Sequence, residues 1–135
     1  MLKSKKINIG ISIGDPNGIG IEIILKVLSE SHLYEKCNFI IYSSLDLIVK
    51  QQDFFKITTL PFKKINSLDK IVSDHINIKE VFSSSKFEFG KNDKEISANG
   101  IISFKEAVED AKSKKIDILI TAPINKSLSY SNSFK

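Results

Sequence analysis

The sequence predicts an α/β fold in which helices flank a mainly parallel sheet. The isoleucine-rich segment Ile7–Ile13 has the pattern of a buried parallel strand, and a second segment, Ile116–Thr121, has the pattern of a strong strand. Between them, apolar residues recur at helical spacing. Strands that alternate with helices are typical of parallel sheets joined by crossover helices. The length of 135 residues fits one ordinary domain.

The first half of the chain is predicted to contain three strands and two helices. The cluster Gly14–Gly18 ends the first strand, and Pro16 and Asn17 supply the start signals of a helix. Pro61 ends the third strand. The predicted elements are a strand at Ile7–Ile13, a helix at Gly18–Ser31, a strand at Asn38–Tyr42, a helix at Leu45–Gln52 and a strand at Lys56–Leu60.

The middle of the chain, Phe62–Ile96, has the weakest pattern. Its composition allows one strand at Ile76–Phe82, loops at Ser83–Ser85 and Gly90–Asp93, and an excursion from the sheet. Regular patterning returns with a helix that Ser97 or Asn99 caps and that ends near Lys114. Glu106 and Asp110 lie one turn apart on this helix, and a solvated helix face is the preferred interpretation of the pair.

Charge and composition argue against several functional classes. The net charge is +4, and the lysines are scattered without interleaved aromatic residues, so a nucleic-acid groove is disfavoured. The basic N-terminus precedes an apolar stretch that is too short and too interrupted to span a bilayer, and no small-residue cleavage site follows. The sequence therefore predicts a soluble, cytoplasmic protein with no membrane partner.

The cysteine and the histidines give no sign of a metal site. The single cysteine, Cys37, precedes an apolar run and is predicted to be a buried structural thiol. His32 and His75 lie far apart and are interpreted as surface or turn residues. No metal ligand is assigned to any residue of this chain.

The turn after the first strand reads GDPNGIG and is the first candidate site. Glycines allow a backbone to approach a ligand, and the N-terminus of the following helix favours phosphate. The candidate binding residues are Gly14, Asp15, Asn17, Gly18 and Gly20. Because Asp15 would repel a phosphate, we expect its carboxylate to accept from a hydroxyl, an amide or a backbone N–H. A plain strand-to-helix turn capped by Asn17 is equally compatible, since no standard nucleotide fingerprint is present.

The segment after the last strand reads TAPINK and is the second candidate. Thr121 ends the strand, Pro123 fixes the backbone, and Asn125 offers a donor and an acceptor. Lys126 could neutralise a phosphate or polarise an alkoxide, although a surface lysine after a strand is common. Because ligands bind at the C-terminal ends of parallel strands, we expect both turns to lie at the same edge of one sheet.

The two turns together resemble one family. GISIGDPNGIGIEII, residues 10–24, is similar to the opening signature of 4-hydroxythreonine-4-phosphate dehydrogenases, with Ile21 where that family usually has proline. IDILITAPINKSL, residues 116–128, resembles a second segment of the same family, in the same order and at about the same separation. The resemblance covers the layout of the whole chain, but only about thirty residues in motif.

This resemblance implies an isocitrate/isopropylmalate dehydrogenase-like fold and a specific oxidation. The family oxidises 4-phosphooxy-L-threonine with NAD, and decarboxylation gives 3-amino-2-oxopropyl phosphate on the way to pyridoxal 5′-phosphate (vitamin B6). A divalent metal, Zn, Mg or Co, acts as a Lewis acid, and family members are homodimers. Carried onto this chain, the resemblance makes Lys126 the catalytic candidate, and Gly14–Gly20, Thr121 and Asn125 elements that line the site. The sequence does not decide whether the cofactor is NAD or NADP.

The resemblance also implies that residues 1–135 are the N-terminal portion of a dehydrogenase domain whose C-terminal part is absent. Family members are much longer, and their three metal-ligand histidines lie beyond the positions that this chain matches. We therefore expect the chain to be inactive alone. Two alternatives stay open: a phosphate- or nucleotide-binding module of a different class that uses the Gly14–Gly20 turn, and a non-enzymatic interaction domain in which that turn is incidental.

Overall fold

The structure of this chain, a computed structural model, describes residues 5–30 and 32–124 and contains one five-stranded sheet. Three helices accompany the strands in this part of the chain. The elements in order are β1 (Ile7–Ser12), α1 (Gly20–Ser29), β2 (Cys37–Ser43), α2 (Leu45–Phe55), β3 (Phe62–Ile65), β4 (Ile76–Glu80), α3 (Lys94–Lys112) and β5 (Ile118–Thr121). This architecture confirms the predicted α/β class.

The sheet is parallel throughout, with the strand order β3-β4-β2-β1-β5. In the centre, Ile11 of β1 lies opposite Ile41 of β2 on one side and Ile120 of β5 on the other. Because every strand runs the same way, the C-terminal ends of all five meet at one edge. That edge is where the two candidate turns begin.

Helices pack on both faces of the sheet and bury the isoleucines at its centre, whereas Ile118 and Ile120 of the edge strand β5 stay exposed. On one face α1 and α2 pack over the side chains of Ile9, Ile11, Phe39, Ile41 and Ile78. On the other face α3 packs over a smaller cluster that includes Ile40, Tyr42 and Ile65. A fully buried side chain of this size contributes roughly 1.5–3 kcal/mol, so these two layers supply most of the driving force for the fold.

Two predictions about the middle of the chain are wrong. Lys56–Leu60 is not a strand: α2 continues to Phe55, and Lys56 caps it in the left-handed conformation with φ of 54°. The strand begins after Pro61, at Phe62. The region is not an excursion from the sheet either, because β4 lies between β2 and β3 and contributes the fully buried Ile76 and Ile78.

The start of α3 also differs from the prediction. Neither Ser97 nor Asn99 caps the helix. Asp93 is the N-cap, and its side chain accepts a hydrogen bond of 3.0 Å from the backbone N–H of Ile96. The helix therefore begins at Lys94, and Ser97 lies inside its first turns with its hydroxyl available for a tertiary contact.

Asp110 does not belong to a solvated helix face. It is 5% exposed, and its Oδ2 accepts hydrogen bonds of 2.8 Å from the Tyr42 hydroxyl and from Lys79 Nζ. Burial raises the pKa of the Tyr42 phenol, and the Asp110 hydrogen bond raises it further, so the phenol stays protonated and donates. Glu106, its neighbour one turn earlier, is exposed as expected.

Three smaller expectations can be checked. Cys37 is buried in the core at the start of β2, which confirms it as a structural thiol. His32 is exposed, and His75 Nδ1 lies 3.0 Å from the carbonyl oxygen of Ser73 in a turn before β4. Within residues 5–30 and 32–124, no helix has both the length and the apolar character needed to cross a membrane.

Candidate active site at the C-terminal edge of the sheet

The two predicted turns lie side by side. Ser12 at the end of β1 pairs with Thr121 at the end of β5. Beyond the paired strands, Ala122 N–H donates to the Ser12 carbonyl over 3.0 Å, and Asp15 N–H donates to the Pro123 carbonyl over 3.1 Å. The shared edge is therefore confirmed for the described part of both turns. Asn125 and Lys126 lie outside the described residues.

Two of the glycines are needed because the turns approach each other so closely. Gly14 has a φ of +70°, and a Cβ built on it would lie 2.2 Å from the Pro123 carbonyl oxygen. A Cβ on Gly20 would lie 2.5 Å from the Ile13 carbonyl oxygen and 2.8 Å from the Ala122 Cβ. No side chain fits at either position without moving backbone. These glycines hold the two turns in contact.

Asp15 is buried and fastens the first turn to α3. Its Oδ1 accepts from the Asn17 backbone N–H, and its Oδ2 accepts from the Ser97 hydroxyl, each over 2.9 Å. These are two of the three kinds of donor expected for this carboxylate. The helix approaches so closely here that a Cβ on Gly100 would lie 2.3 Å from the Gly14 carbonyl oxygen. Asp15 thus helps to fix the shape of the turn.

Asn17 does not cap α1. The N-cap residue is Ile19, and no side chain caps this helix end. Instead, Asn17 Nδ2 donates to the Lys91 carbonyl over 2.9 Å, Asn17 Oδ1 accepts from Glu88 N–H, and its carbonyl accepts from Gly90 N–H over 3.1 Å. Asn17 is 5% exposed, and its three hydrogen bonds fix the loop of Glu88–Lys91, more than seventy residues further along the chain.

A cleft of about 440 Å³ opens between the two turns and this loop. Its lining comes from three segments: Asp15, Asn17, Gly18, Ile19 and Gly20; Gly90, Lys91 and Asn92; Pro123 and Ile124. Four of the predicted binding residues are therefore brought together. Gly14 and Thr121 are not among the lining residues. Gly14 packs directly against Ala122 and Pro123, and Thr121 is exposed at the end of β5.

Sequence reasoning missed the contribution of Gly90–Asn92. The segment has the composition of a loop, which is how it was interpreted, but nothing in it indicates which part of the fold it covers. A signal was present one residue later. Asp93 followed by Glu95 and an apolar residue is typical of a helix N-terminus and would have placed the loop directly before α3.

Metal-binding chemistry has no counterpart in the described residues. Within 5–30 and 32–124, no three side chains of His, Cys, Asp or Glu lie close enough together to hold a metal ion. The cleft does offer groups suited to an anion. The first turn of α1 has no side-chain cap, so its N–H groups have no side-chain acceptor at the helix end, and Lys91 lines the same cleft.

Comparison with known proteins agrees with this geometry. The model of one protein family, described as "Pyridoxal phosphate biosynthetic protein PdxA", matches residues 35–135. A 4-hydroxythreonine-4-phosphate dehydrogenase of Bacteroides thetaiotaomicron is 31% identical over 134 residues, which cover 98% of this chain and 36% of that protein. A putative D-threonate 4-phosphate dehydrogenase of Clostridium botulinum is 33% identical, over 93% of this chain and 38% of that protein.

Solved structures show the same fold. A 4-hydroxythreonine-4-phosphate dehydrogenase from Burkholderia phymatum superimposes with a TM-score of 0.83 at 22% identity, covering 96% of this chain and 40% of that one. A putative enzyme of the same name from Salmonella typhimurium gives 0.80 at 23% identity, covering 97% and 41%. The expected isocitrate dehydrogenase-like class is thereby confirmed. The chain belongs to the PdxA family of dehydrogenases and spans a little over a third of the length of the curated relatives it matches.

Proposed function

We propose that this chain forms the N-terminal part of an enzyme that oxidises 4-hydroxythreonine 4-phosphate with NAD. Decarboxylation of the product would give 3-amino-2-oxopropyl phosphate, a precursor of pyridoxal 5′-phosphate. The observation that carries the proposal is the pair of hydrogen bonds that join the two family turns beside one cleft, Asp15 N–H to Pro123 and Ala122 N–H to Ser12. Those turns are where the chain most resembles the family.

In this proposal the cleft holds an anionic end of the substrate. The first turn of α1, which begins at Gly20, supplies N–H donors and a partial positive charge, while the Gly18 N–H donates to the Asp15 carbonyl over 2.9 Å and shapes the turn. Gly18 is less crowded than Gly14 and Gly20, because a Cβ there would lie 3.3 Å from the Asp15 carbonyl oxygen, a tight contact that a small shift of the turn relieves. Asn125 and Lys126 follow the described end of the second turn, and Lys126 remains the catalytic candidate that would stabilise a developing alkoxide.

The described residues do not fit a divalent metal, but they fit one phosphate of NAD. The described residues offer no ligand set for a divalent metal, so no step is assigned to it here. A phosphate of NAD is compatible with the glycine turn, but the described residues define no place for a nicotinamide ring. The metal, most of the NAD site, the homodimer and the cytoplasmic setting are therefore proposals about a longer protein.

D-threonate 4-phosphate is a second candidate substrate. The Clostridium botulinum relatives are named for that activity, and this chain is as similar to them as to the 4-hydroxythreonine-4-phosphate dehydrogenases. The two substrates share the phosphate and differ at C2, where one has an amine and the other a hydroxyl. The cleft described here would recognise the shared anionic group, so both substrates are included in the test.

Activity measurements on two forms of the protein test the proposal. Purified residues 1–135 should reduce no NAD with either substrate and added Mg²⁺ or Zn²⁺. A chimera in which residues 1–135 replace the matched segment of the Bacteroides thetaiotaomicron relative should form NADH. Activity with D-threonate 4-phosphate alone would select the second candidate.

The variant that tests the cleft is the same chimera with Gly18→Val, compared with the unsubstituted chimera. It places a branched side chain at the cleft, while Gly14 and Gly20 stay intact. We expect it to fold and to lose at least about tenfold in kcat/KM, equivalent to roughly 1.4 kcal/mol. A folded chimera that turns over neither substrate would contradict the proposal. Turnover by residues 1–135 alone would contradict the expected inactivity, and magnesium-dependent ATP binding would favour a nucleotide-binding module.

A further inference from the structure

The loop that completes the cleft is anchored to α2 by aromatic rings. We call residues 83–93 the strap. Phe89 of the strap packs against Phe54 and Phe55 with ring centroids 5.3 Å and 5.4 Å apart, and Phe87 lies 5.0 Å from Phe89. Aromatic pairs at such distances contribute beyond their buried area. The strap is therefore fixed to the body of the protein before it reaches the cleft.

A second anchor fixes the strap at the cleft itself. The three hydrogen bonds of Asn17 to Glu88, Gly90 and Lys91 secure the backbone of these residues to the first turn. Immediately afterwards Asp93 caps α3 and fixes the far end. Lys91 thus occupies a defined position, with its carbonyl bound by Asn17 and its N–H donating to the Glu88 carbonyl over 3.2 Å.

The Lys91 side chain forms only a weak ion pair, with Glu88. Its Nζ lies 3.3 Å from Glu88 Oε1, but both side chains are 65% exposed, and ion pairs of this kind contribute little. Among the described residues that line the cleft, Lys91 has the only cationic side chain. Asp15, the only acidic one, is already satisfied by the Asn17 N–H and the Ser97 hydroxyl.

We propose that Lys91 binds an anionic group of the ligand in this cleft and so helps to determine specificity. When the ligand arrives, the ammonium exchanges Glu88 for the phosphate or carboxylate of the substrate. Asn17 acts as a positioning residue, because it holds the backbone of Lys91 at the rim. This inference rests on the proposed function for the existence of a ligand in the cleft, but it assigns a residue that neither family turn contains.

The test is a titration of ¹⁵N-labelled residues 1–135 with inorganic phosphate at constant ionic strength, followed at the Gly18 and Gly20 amides. Lys91→Gln should raise the Kd for phosphate by roughly five- to tenfold, a loss within the range of one ordinary hydrogen bond, because the ammonium is exposed to solvent. Lys91→Arg, which keeps the charge, should stay within about twofold of the parent. Lys86→Gln is the matched control, because Lys86 is an exposed strap lysine that does not line the cleft.

A parallel titration with acetate identifies which anionic end Lys91 receives. Tighter binding of phosphate points to the phosphate group, and tighter binding of acetate points to the carboxylate. Equal losses for Lys91→Gln and Lys86→Gln would overturn the inference, since only the overall charge would then matter. If Gly18→Val abolishes binding and Lys91→Gln leaves it unchanged, Lys91 has no role although the site stands. If the parent shows no shift at Gly18 or Gly20, both the site and the inference fail.

Discussion

Replacing Gly14 by alanine is expected to lower the free energy of unfolding by about 2–5 kcal/mol. Part of the loss, about 1–2 kcal/mol, comes from placing an L-residue at a φ of +70°. The remainder comes from overpacking, typically about 1–3 kcal/mol, because the new Cβ would lie 2.2 Å from the Pro123 carbonyl oxygen. The turns must separate to admit it. Chemical denaturation of the two proteins, with the slope of the transition held common, measures the difference.

Gly90→Ala is the matched control for this substitution. Gly90 has a similar φ of +79°, but a Cβ built there meets nothing within 4 Å. It should therefore show the conformational loss alone, about 1–2 kcal/mol. The excess for Gly14→Ala measures how tightly the turns are packed. Equal losses for the two variants would mean that the first turn and Pro123 are not in close contact.

Asp110→Ala is expected to lower the free energy of unfolding by about 3–5 kcal/mol. The change leaves the ammonium of Lys79, whose side chain is 16% exposed, without its carboxylate partner at 2.8 Å. It also leaves the Tyr42 hydroxyl, buried at the centre of the α3 face, without an acceptor. Most of the loss comes from stranding a largely buried charge. Denaturation curves at neutral pH measure it.

Glu109→Ala tests whether this loss is specific. Glu109 neighbours Asp110 on the same helix but is exposed, so its removal should change stability by no more than about 0.5 kcal/mol. The double variant Asp110→Ala with Lys79→Met should recover part of the loss, because it removes the unpaired charge. A small effect of Asp110→Ala, similar to that of Glu109→Ala, would mean that the buried network is absent.

The strongly apolar strands could be predicted from the sequence because their pattern leaves little choice. β1, β2 and β5 were each located to within two residues, since each is a run rich in isoleucine and other apolar residues, although β5, at the edge of the sheet, is mostly exposed. The C-terminal ends of β1 and β5 then had to meet at one edge. Parallel pairing therefore fixed the position of both family turns once the strands were known.

The weaker elements could not be predicted because tertiary contacts decide them. Phe62–Ile65 has two lysines among four residues and becomes a strand only because it pairs with β4 at the edge of the sheet. Likewise, Asp110 resembles any exposed helix carboxylate until Tyr42 and Lys79, which lie opposite each other on neighbouring strands, bring two donors to it. Neither pairing leaves a trace in local sequence.

In the candidate site, too, the residues in locally patterned segments could be predicted, and those brought in by tertiary contacts could not. The glycines and Asp15 could be identified because a strand, a tight turn and a helix follow one another directly. The strap could not, since Asn17 reaches it across more than seventy residues and its hydrogen bonds use backbone atoms of Glu88, Gly90 and Lys91. Backbone partners place almost no constraint on residue type, so the sequence carries no signal of this contact.

Binding of 4-hydroxythreonine 4-phosphate, followed residue by residue in ¹⁵N-labelled chain, tests most directly whether the two turns form one site. We expect the amides of Gly18 and Gly20 in the first turn and of Ala122 and Ile124 in the second to shift together, with one common midpoint. Another cleft lies at the β3 side of the sheet, lined by Lys63, Lys64 and Lys70 among others. Shifts confined to that cleft, or to one turn while the other stays unchanged, would contradict the account.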